Sequence, residues 1–293
     1  VLTALANGLY AASPQQDEFT FKEHIEKRWR NQHVSVRFQP EAGVPAGSIK
    51  LIGPDGPVPV QLSEVEYGAD NHLVKSANLH FIIPHLDPLE EKRFLARYGE
   101  SAAGPRPESG LHVSKRGGGV HVDTGAFGAE FAVGQHRWDA PAKAEAVPGP
   151  IVRLRFQDGT LFGGSGLYGD TRVSRWSGEC SARGPVFAQF DYYYQYVGGV
   201  EVQLTARVFS GGSAILWDMR TTGGELPGDG IRFNVSSGLP PLTFVFKGEF
   251  YSKRGSIVGR EVEPGDLLSI PLEDYPRDWA TKNVRSRPQP GMI

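Results

Sequence analysis

Apolar and polar residues alternate with a period of two along most of the chain. Val34, Val36 and Phe38 share one face of residues 33–38, and Leu79, Phe81 and Ile83 share one face of residues 74–83. That spacing predicts half-buried β-strands. Shorter strands are predicted over 48–52 and 93–98, separated by glycine- and proline-containing turns at 43–47 and 53–56. Residues 58–62, Val-Pro-Val-Gln-Leu, read as a further strand. Proline cannot donate to a ladder, so Pro59 assigns that strand to a sheet edge. Residues 19–29 fit either a helix or an extended lead-in.

Residues 99–110 contain almost nothing apolar and read as an inter-domain linker. A second β block follows, with strands predicted over 111–114, 119–122, 129–133, 151–156 and 171–176. Further strands are predicted over 186–196, 200–209, 214–220, 231–235, 242–246 and 249–251. Asp158-Gly159, between two apolar runs, is a strong hairpin signal. The hairpin around Gly198-Gly199 can be registered from its pattern. A three-residue loop, Val197-Gly198-Gly199, pairs Tyr194 with Val202, Tyr192 with Leu204 and Phe190 with Ala206, so every apolar residue lies on one face. A slip by one residue would turn that set into water, so the three-residue loop is preferred. The opposite face then carries Gln189, Asp191, Tyr193, Gln203, Thr205 and Arg207.

Composition agrees with an all-β chain. The 293 residues include 37 glycines and 22 prolines without a collagen period, as many turns between short strands require. Hydrophobic residues make up 39% and charged residues 22%, so a packed core is available. No apolar run reaches 18 residues, so no transmembrane helix is expected. The formal net charge of −2 offers no footprint for nucleic acid. The single cysteine, Cys180, excludes an internal disulfide and a cysteine-rich zinc site. The small, apolar opening over 1–12 suits the tail of a signal peptide, a short strand or helix, or an arbitrary cut. The Pro-rich polar end suits a linker into a further domain. On this reading residues 1–28 are a leader or signal-peptide remnant with its linker, 29–98 and 111–275 are two β domains joined by 99–110, and 276–293 is a second linker.

The polar hairpin face is the main chemical candidate. A ring such as Tyr193 stacks on a pyranose, while Asp191, Gln203 and Arg207 can read hydroxyls. The alternative for this surface is an ordinary solvated sheet face. Arg207 is the candidate uronate partner, because a guanidinium fork matches a carboxylate. His121-Val122-Asp123 places an imidazole and a carboxylate on one strand face, but two ligands do not make a metal site and no His-Glu-x-x-His pattern occurs. Gly164-Ser165-Gly166-Leu167-Tyr168-Gly169 matches a dinucleotide pattern formally. A strand rather than a helix is predicted after it, so it reads as a glycine-rich β loop. Cys180 shows no activating neighbourhood. Carboxylates are plentiful, but nothing indicates which two could face each other as a glycosidase pair. Asn234-Val235-Ser236 fits a glycosylation sequon.

Several phrases carry a family resemblance: residues 29–38 with the Gly-Val-Pro turn at 43–45, the run 67–98, Val120-His121-Val122-Asp123-Thr124-Gly125-Ala126-Phe127, and the strands at 184–188 and 202–209. Together they resemble the two N-terminal β domains of exo-rhamnogalacturonan lyase-like proteins (the YetA-like group). The resemblance spans about residues 29–250. It implies a small barrel-like β domain followed by an antiparallel β-sandwich related to galactose-mutarotase-like domains. In that family an α/α-toroid follows and contributes much of the active site. No such helical region occurs here, and no catalytic residue is carried over. The expected function is the β-domain portion of a secreted carbohydrate-active enzyme, of polysaccharide lyase or glycoside hydrolase type, acting on acidic polysaccharide. Lyase chemistry needs a base for the proton α to the uronate carboxyl and a cation or Arg for the developing enolate. The alternatives are a non-catalytic carbohydrate-binding or cell-surface structural module, and a mutarotase-like epimerase with a His base and a carboxylate in one cleft. The expected partner is a polysaccharide or oligosaccharide, the expected location extracytoplasmic, and no cofactor is expected.

Overall fold

A computed structural model describes residues 15–69, 72–99, 107–156, 159–225, 230–234, 247–250 and 255–258. The leader segment 1–14, Asp158, most of the linker 99–110, the strand expected over 242–246, Ser236 of the sequon and the linker at 276–293 lie outside the described residues. The described chain is nearly all β, in several antiparallel sheets. Among the described residues no helix is long and apolar enough to cross a membrane. The chain divides into two compact units, one comprising residues 1–110 and 184–187, the other 111–183 and 188–293.

The first unit holds β1 (Gln15–Lys22), β2 (Trp29–Phe38), β3 (Val44–Pro45), β4 (Lys50–Gly53), β5 (Gly56–Val58), β6 (Gln61–Tyr67), β7 (Leu73–Leu86) and β8 (Glu91–Tyr98). They form two sheets. One has the order β1-β8-β4-β5; in the other, β7 pairs with β2, β3 and β6. The two sheets pack on one core. Phe21 on β1 sets its ring edge-on to Phe81 on β7 at 5.7 Å and to Phe94 on β8 at 5.8 Å. Phe38, Leu51, Leu79 and Ala96 complete this core.

One open reading is settled in favour of its extended alternative, and one reading changes. Residues 19–29 contain no helix: alternation brings Phe19 opposite Phe94 and Phe21 opposite Lys92 in a β1–β8 ladder that ends at Lys22. The strand expected over 58–62 is broken rather than placed whole at an edge. β5 ends at Val58, Pro59 and Val60 leave the ladder, and β6 starts at Gln61. The missing proline N–H accounts for the interruption.

A buried carboxylate ties the β1–β2 connection to the β7–β8 turn. Glu23 accepts N–H bonds from Ile25 at 2.8 Å and Leu89 at 3.0 Å, and the Trp29 indole donates to it at 3.4 Å. Desolvation by itself raises its pKa. The backbone N–H groups of Leu89, Ile25 and Lys27 and the Trp29 indole outweigh that and hold it at about 2, below the ordinary 4.5. A carboxylate depressed in the folded state stabilises fully above its unfolded pKa, and that stabilisation is lost as pH falls through the folded value. Acid unfolding of the wild-type chain should therefore acquire a component between pH 4.5 and about 2 that Glu23→Gln lacks. Denaturation midpoints of both chains across that range check this, and parallel curves would contradict it.

The second unit opens with β9 (His112–Arg116), β10 (Gly119–Asp123), β11 (Gly128–Ala132), β12 (Gly134–Ala142), β13 (Ile151–Arg155), β14 (Leu161–Phe162) and β15 (Gly164–Tyr168). It continues with β16 (Val173–Arg183), β17 (Phe187–Tyr196), β18 (Glu201–Phe209), β19 (Ile215–Thr222) and β20 (Gly230–Asn234), and a last pair, β21 (Lys247–Phe250) with β22 (Gly255–Val258). Its two five-stranded sheets run β14-β13-β11-β10-β9 and β12-β16-β17-β18-β19. They pack as a sandwich, with Phe131 of the first stacked on Phe190 of the second at 4.0 Å between ring centroids. Residues 164–168 form a strand paired with β20, not a loop, and β16 rather than a helix follows. That arrangement cannot cradle a dinucleotide phosphate.

The β17–β18 hairpin turns through Val197, Gly198 and Gly199. Tyr196 N–H donates to the Val200 carbonyl at 2.8 Å, and both glycines have positive φ, 95° and 88°. Left-handed backbone of this kind favours glycine. Phe190, Tyr192, Tyr194, Val202 and Leu204 are buried in the sandwich core. Buried hydroxyls find carbonyl partners: Tyr192 donates to Pro150 at 3.0 Å and Tyr194 to Pro148 at 3.2 Å. Burial pushes both phenols above their ordinary pKa.

Candidate functional site

Each outer face of the sandwich is polar, and both contain a cavity. On the β12–β19 sheet, Asp191, Tyr193 and Gln203 line a recess of about 550 Å³ with Gln135, Glu179 and Thr205. Arg207 lies outside that lining and donates from Nε to Gln189 Oε1 at 2.7 Å. The groups on this face largely satisfy one another. Asp191 accepts from Thr205 at 2.7 Å and from Gln189 at 3.0 and 3.1 Å. Partial burial alone would raise the Asp191 carboxyl, but bonds from Ser181, Thr205 and Gln189 with the nearby Arg207 charge hold it below its ordinary value. Tyr193 donates its hydroxyl to Glu201 at 2.7 Å, and the Arg175 guanidinium sits over its ring at 5.6 Å. One face of the ring predicted to stack on a sugar is therefore shared with a cation.

The other face is built from two transverse rows. His121 on β10 stands opposite Ser114 on β9 and Glu130 on β11, and Glu130 stands opposite Arg153 on β13. In the next row Asp123 pairs with His112 and Gly128, and Gly128 pairs with Arg155. The period-two pattern that sends Val120, Val122, Ala129 and Phe131 into the core turns these residues outward. Arg155 spans the gap at Gly128 to bond Asp123. A Cβ on Gly128 would stand 2.9 Å from Arg155 Nε, so the missing side chain makes room for the guanidinium.

These rows line a cavity of about 550 Å³ that also takes in Leu154 and Leu161. Glu130 is 8% exposed. It accepts from Arg153 Nε, and His121 Nε2 lies 3.3 Å from its Oε2. The Asp123 carboxyl is held below its ordinary value by the Gly125 N–H, which outweighs its partial desolvation, and by Arg155 and His112. Arg153 bonds Glu130 through Nε and its side chain is 45% exposed, which presents its terminal amino groups to a ligand. Burial pushes the Cys180 thiol up, away from the thiolate form.

Sequence reasoning singled out His121 and Asp123 but missed Glu130, Arg153 and Arg155. Arg153 and Arg155 are spaced i, i+2, which signals one strand face. Their meeting with His121 and Asp123 depends on ladder registers that no local pattern encodes. Among the described residues, no group of three or more His, Cys, Asp or Glu side chains could hold a metal ion. No family model matches this chain, and no curated protein is similar to it.

Proposed function

We propose that this chain supplies the substrate-binding β domains of an extracytoplasmic carbohydrate-active enzyme, of polysaccharide lyase or glycoside hydrolase type, and that the second unit binds acidic saccharide. The observation that carries this reading is the cavity holding Arg153 and Arg155. They lie two residues apart on one strand face, about 7 Å along the strand, and each bonds a carboxylate through only part of its guanidinium. The remaining donors suit a uronate carboxylate, which a guanidinium meets in bidentate fashion. Asp123, His112 and His121 surround them with groups that read hydroxyls. In lyase chemistry the same cations offset charge that develops on the carboxyl as the α proton leaves. The Tyr193 recess on the other sheet suits a neutral sugar ring.

A specific contact favours the epimerase reading as the second candidate: His121 lies 3.3 Å from Glu130 in one cavity, an imidazole–carboxylate pair able to move a proton. Calorimetric titration with an oligogalacturonate and with its carboxyl-reduced counterpart tests the leading reading. The acidic ligand should bind more tightly, and Arg153→Ala or Arg155→Ala should weaken it by about 10- to 100-fold, as loss of a hydrogen bond to a charged group does. Equal binding of both ligands would overturn it. Anomer interconversion that His121→Gln abolishes would instead establish the second.

A further inference from the structure

We propose that Ser63, in the first unit, is a nucleophilic serine activated by His80 and oriented through His33, acting on a small carboxylic ester. The three residues come from three adjacent strands. Ser63 on β6 stands opposite Asn78 and Gln61 opposite His80, so serine and histidine are diagonal neighbours on one sheet face. His33 on β2 stands opposite Ile82, the corresponding diagonal on the other flank of β7. Ser63 Oγ is 2.7 Å from His80 Nε2, and His80 Nδ1 is 2.9 Å from His33 Nε2. The imidazole planes lie 13° apart.

This geometry meets the requirements of an activated nucleophile: a base within hydrogen-bond reach, itself held by a third group. In the reactive tautomer His80 donates Nδ1–H to His33, which leaves the Nε2 lone pair for the serine proton. His80 is 7% exposed, whereas Ser63 and His33 are only partly buried. The base is thus sheltered from water beside a serine that is itself only partly buried.

The backbone beside the serine supplies an independent observation. Ser63 pairs with Asn78 and Glu66 with Ser76, so Glu64 and Val65 together face Ala77 in a bulge. Glu64 has a φ of 48° and accepts a bond from Asn78 Nδ2 at 2.8 Å. A non-glycine residue held at positive φ is strained, and such strain concentrates at functional sites, as do bulges that re-aim a side chain.

In the proposed reaction Ser63 Oγ bonds to the ester carbonyl carbon as its proton passes to His80 Nε2. The bond to the alcohol oxygen breaks, and that oxygen takes the proton from His80. Water then attacks acyl-Ser63 and gives a proton to His80, which returns it to Ser63 Oγ as the acid departs. The sum is ester plus water giving acid plus alcohol.

A fluorophosphonate tests this on the full chain: Ser63 Oγ bonds phosphorus and fluoride leaves. Peptide mass mapping should find one adduct, at Ser63, absent from Ser63→Ala. His80→Gln should slow labelling at least about 100-fold, the scale of general-base catalysis. His33→Gln keeps an acceptor for Nδ1–H and should stay within about tenfold of wild type, whereas His33→Phe should label more slowly than His33→Gln. Labelling elsewhere, no labelling, or an unchanged rate in His80→Gln overturns the proposal. If His80→Gln unfolds at the assay temperature, the His33 pair decides: equal rates overturn it.

Discussion

Phe131→Ala is expected to destabilise the second unit by roughly 3–5 kcal/mol, the cost of deleting a buried phenylalanine ring. Phe131 and Phe190 are both fully buried, and their rings lie 4.0 Å apart at an interplanar angle of 15°. Each belongs to a different sheet, so the contact joins the two layers. Truncation removes the apolar transfer contribution and leaves a void that neither sheet can fill without bending. The stack itself should appear in a double-mutant cycle with Phe190→Ala as a coupling of about 0.5–1.5 kcal/mol. Denaturant unfolding of the four chains measures both quantities. A loss below about 1 kcal/mol for Phe131→Ala, the size of an ordinary point substitution, would show that the layers are not held through these rings.

The β17–β18 hairpin gives the second large effect through a contrast between its faces. Leu204 is 5% exposed and packs in the core. Leu204→Ala should cost roughly 2–5 kcal/mol. Tyr193 points outward, where Glu201 takes its hydroxyl and Arg175 lies over its ring. Tyr193→Ala should cost less, about 1–2 kcal/mol, since it removes a partly exposed cation–π contact and a surface hydrogen bond to a carboxylate. The same variant should weaken oligosaccharide binding if the recess is a sugar platform, which the calorimetric titration reads directly. A stable Leu204→Ala beside an unfolded Tyr193→Ala would place the hairpin one residue out of register.

This hairpin was legible because its information is local. Period-two apolar residues on both strands and two adjacent glycines leave one register that buries Tyr192, Tyr194, Val202 and Leu204 together. The all-β class followed from the same alternation repeated along the chain. β12 and β15 were not legible: β12 is mostly exposed and polar, and β15 is rich in glycine, so neither shows a strong apolar period. β1 was ambiguous because its alternation becomes decisive only beside β8. The cavity around Arg153 was less legible still. His121, Glu130 and Arg153 lie on three strands, and only the ladder places them in one row. Arg207, singled out for its fork, lies on a face where Gln189 already engages it. Ser63, His80 and His33 were out of reach for the same reason. Each looks ordinary in its own strand, and 47 positions separate the two histidines.

The strand order of the second unit bears on how it folds. Within the two five-stranded sheets, the pairs β9–β10, β10–β11, β13–β14, β16–β17, β17–β18 and β18–β19 each join strands consecutive in sequence. Sandwiches are generally slow folders because their pairings are remote and loop closure must precede the contacts that repay it. Most ladders here need only a short loop to close, on the microsecond scale of isolated hairpins. Among the described residues the remote pairings are few: β11 with β13, β12 with β16 and β15 with β20. Two meanders can therefore form separately, and their docking, when Phe131 first reaches Phe190, is the step expected to come late and set the rate.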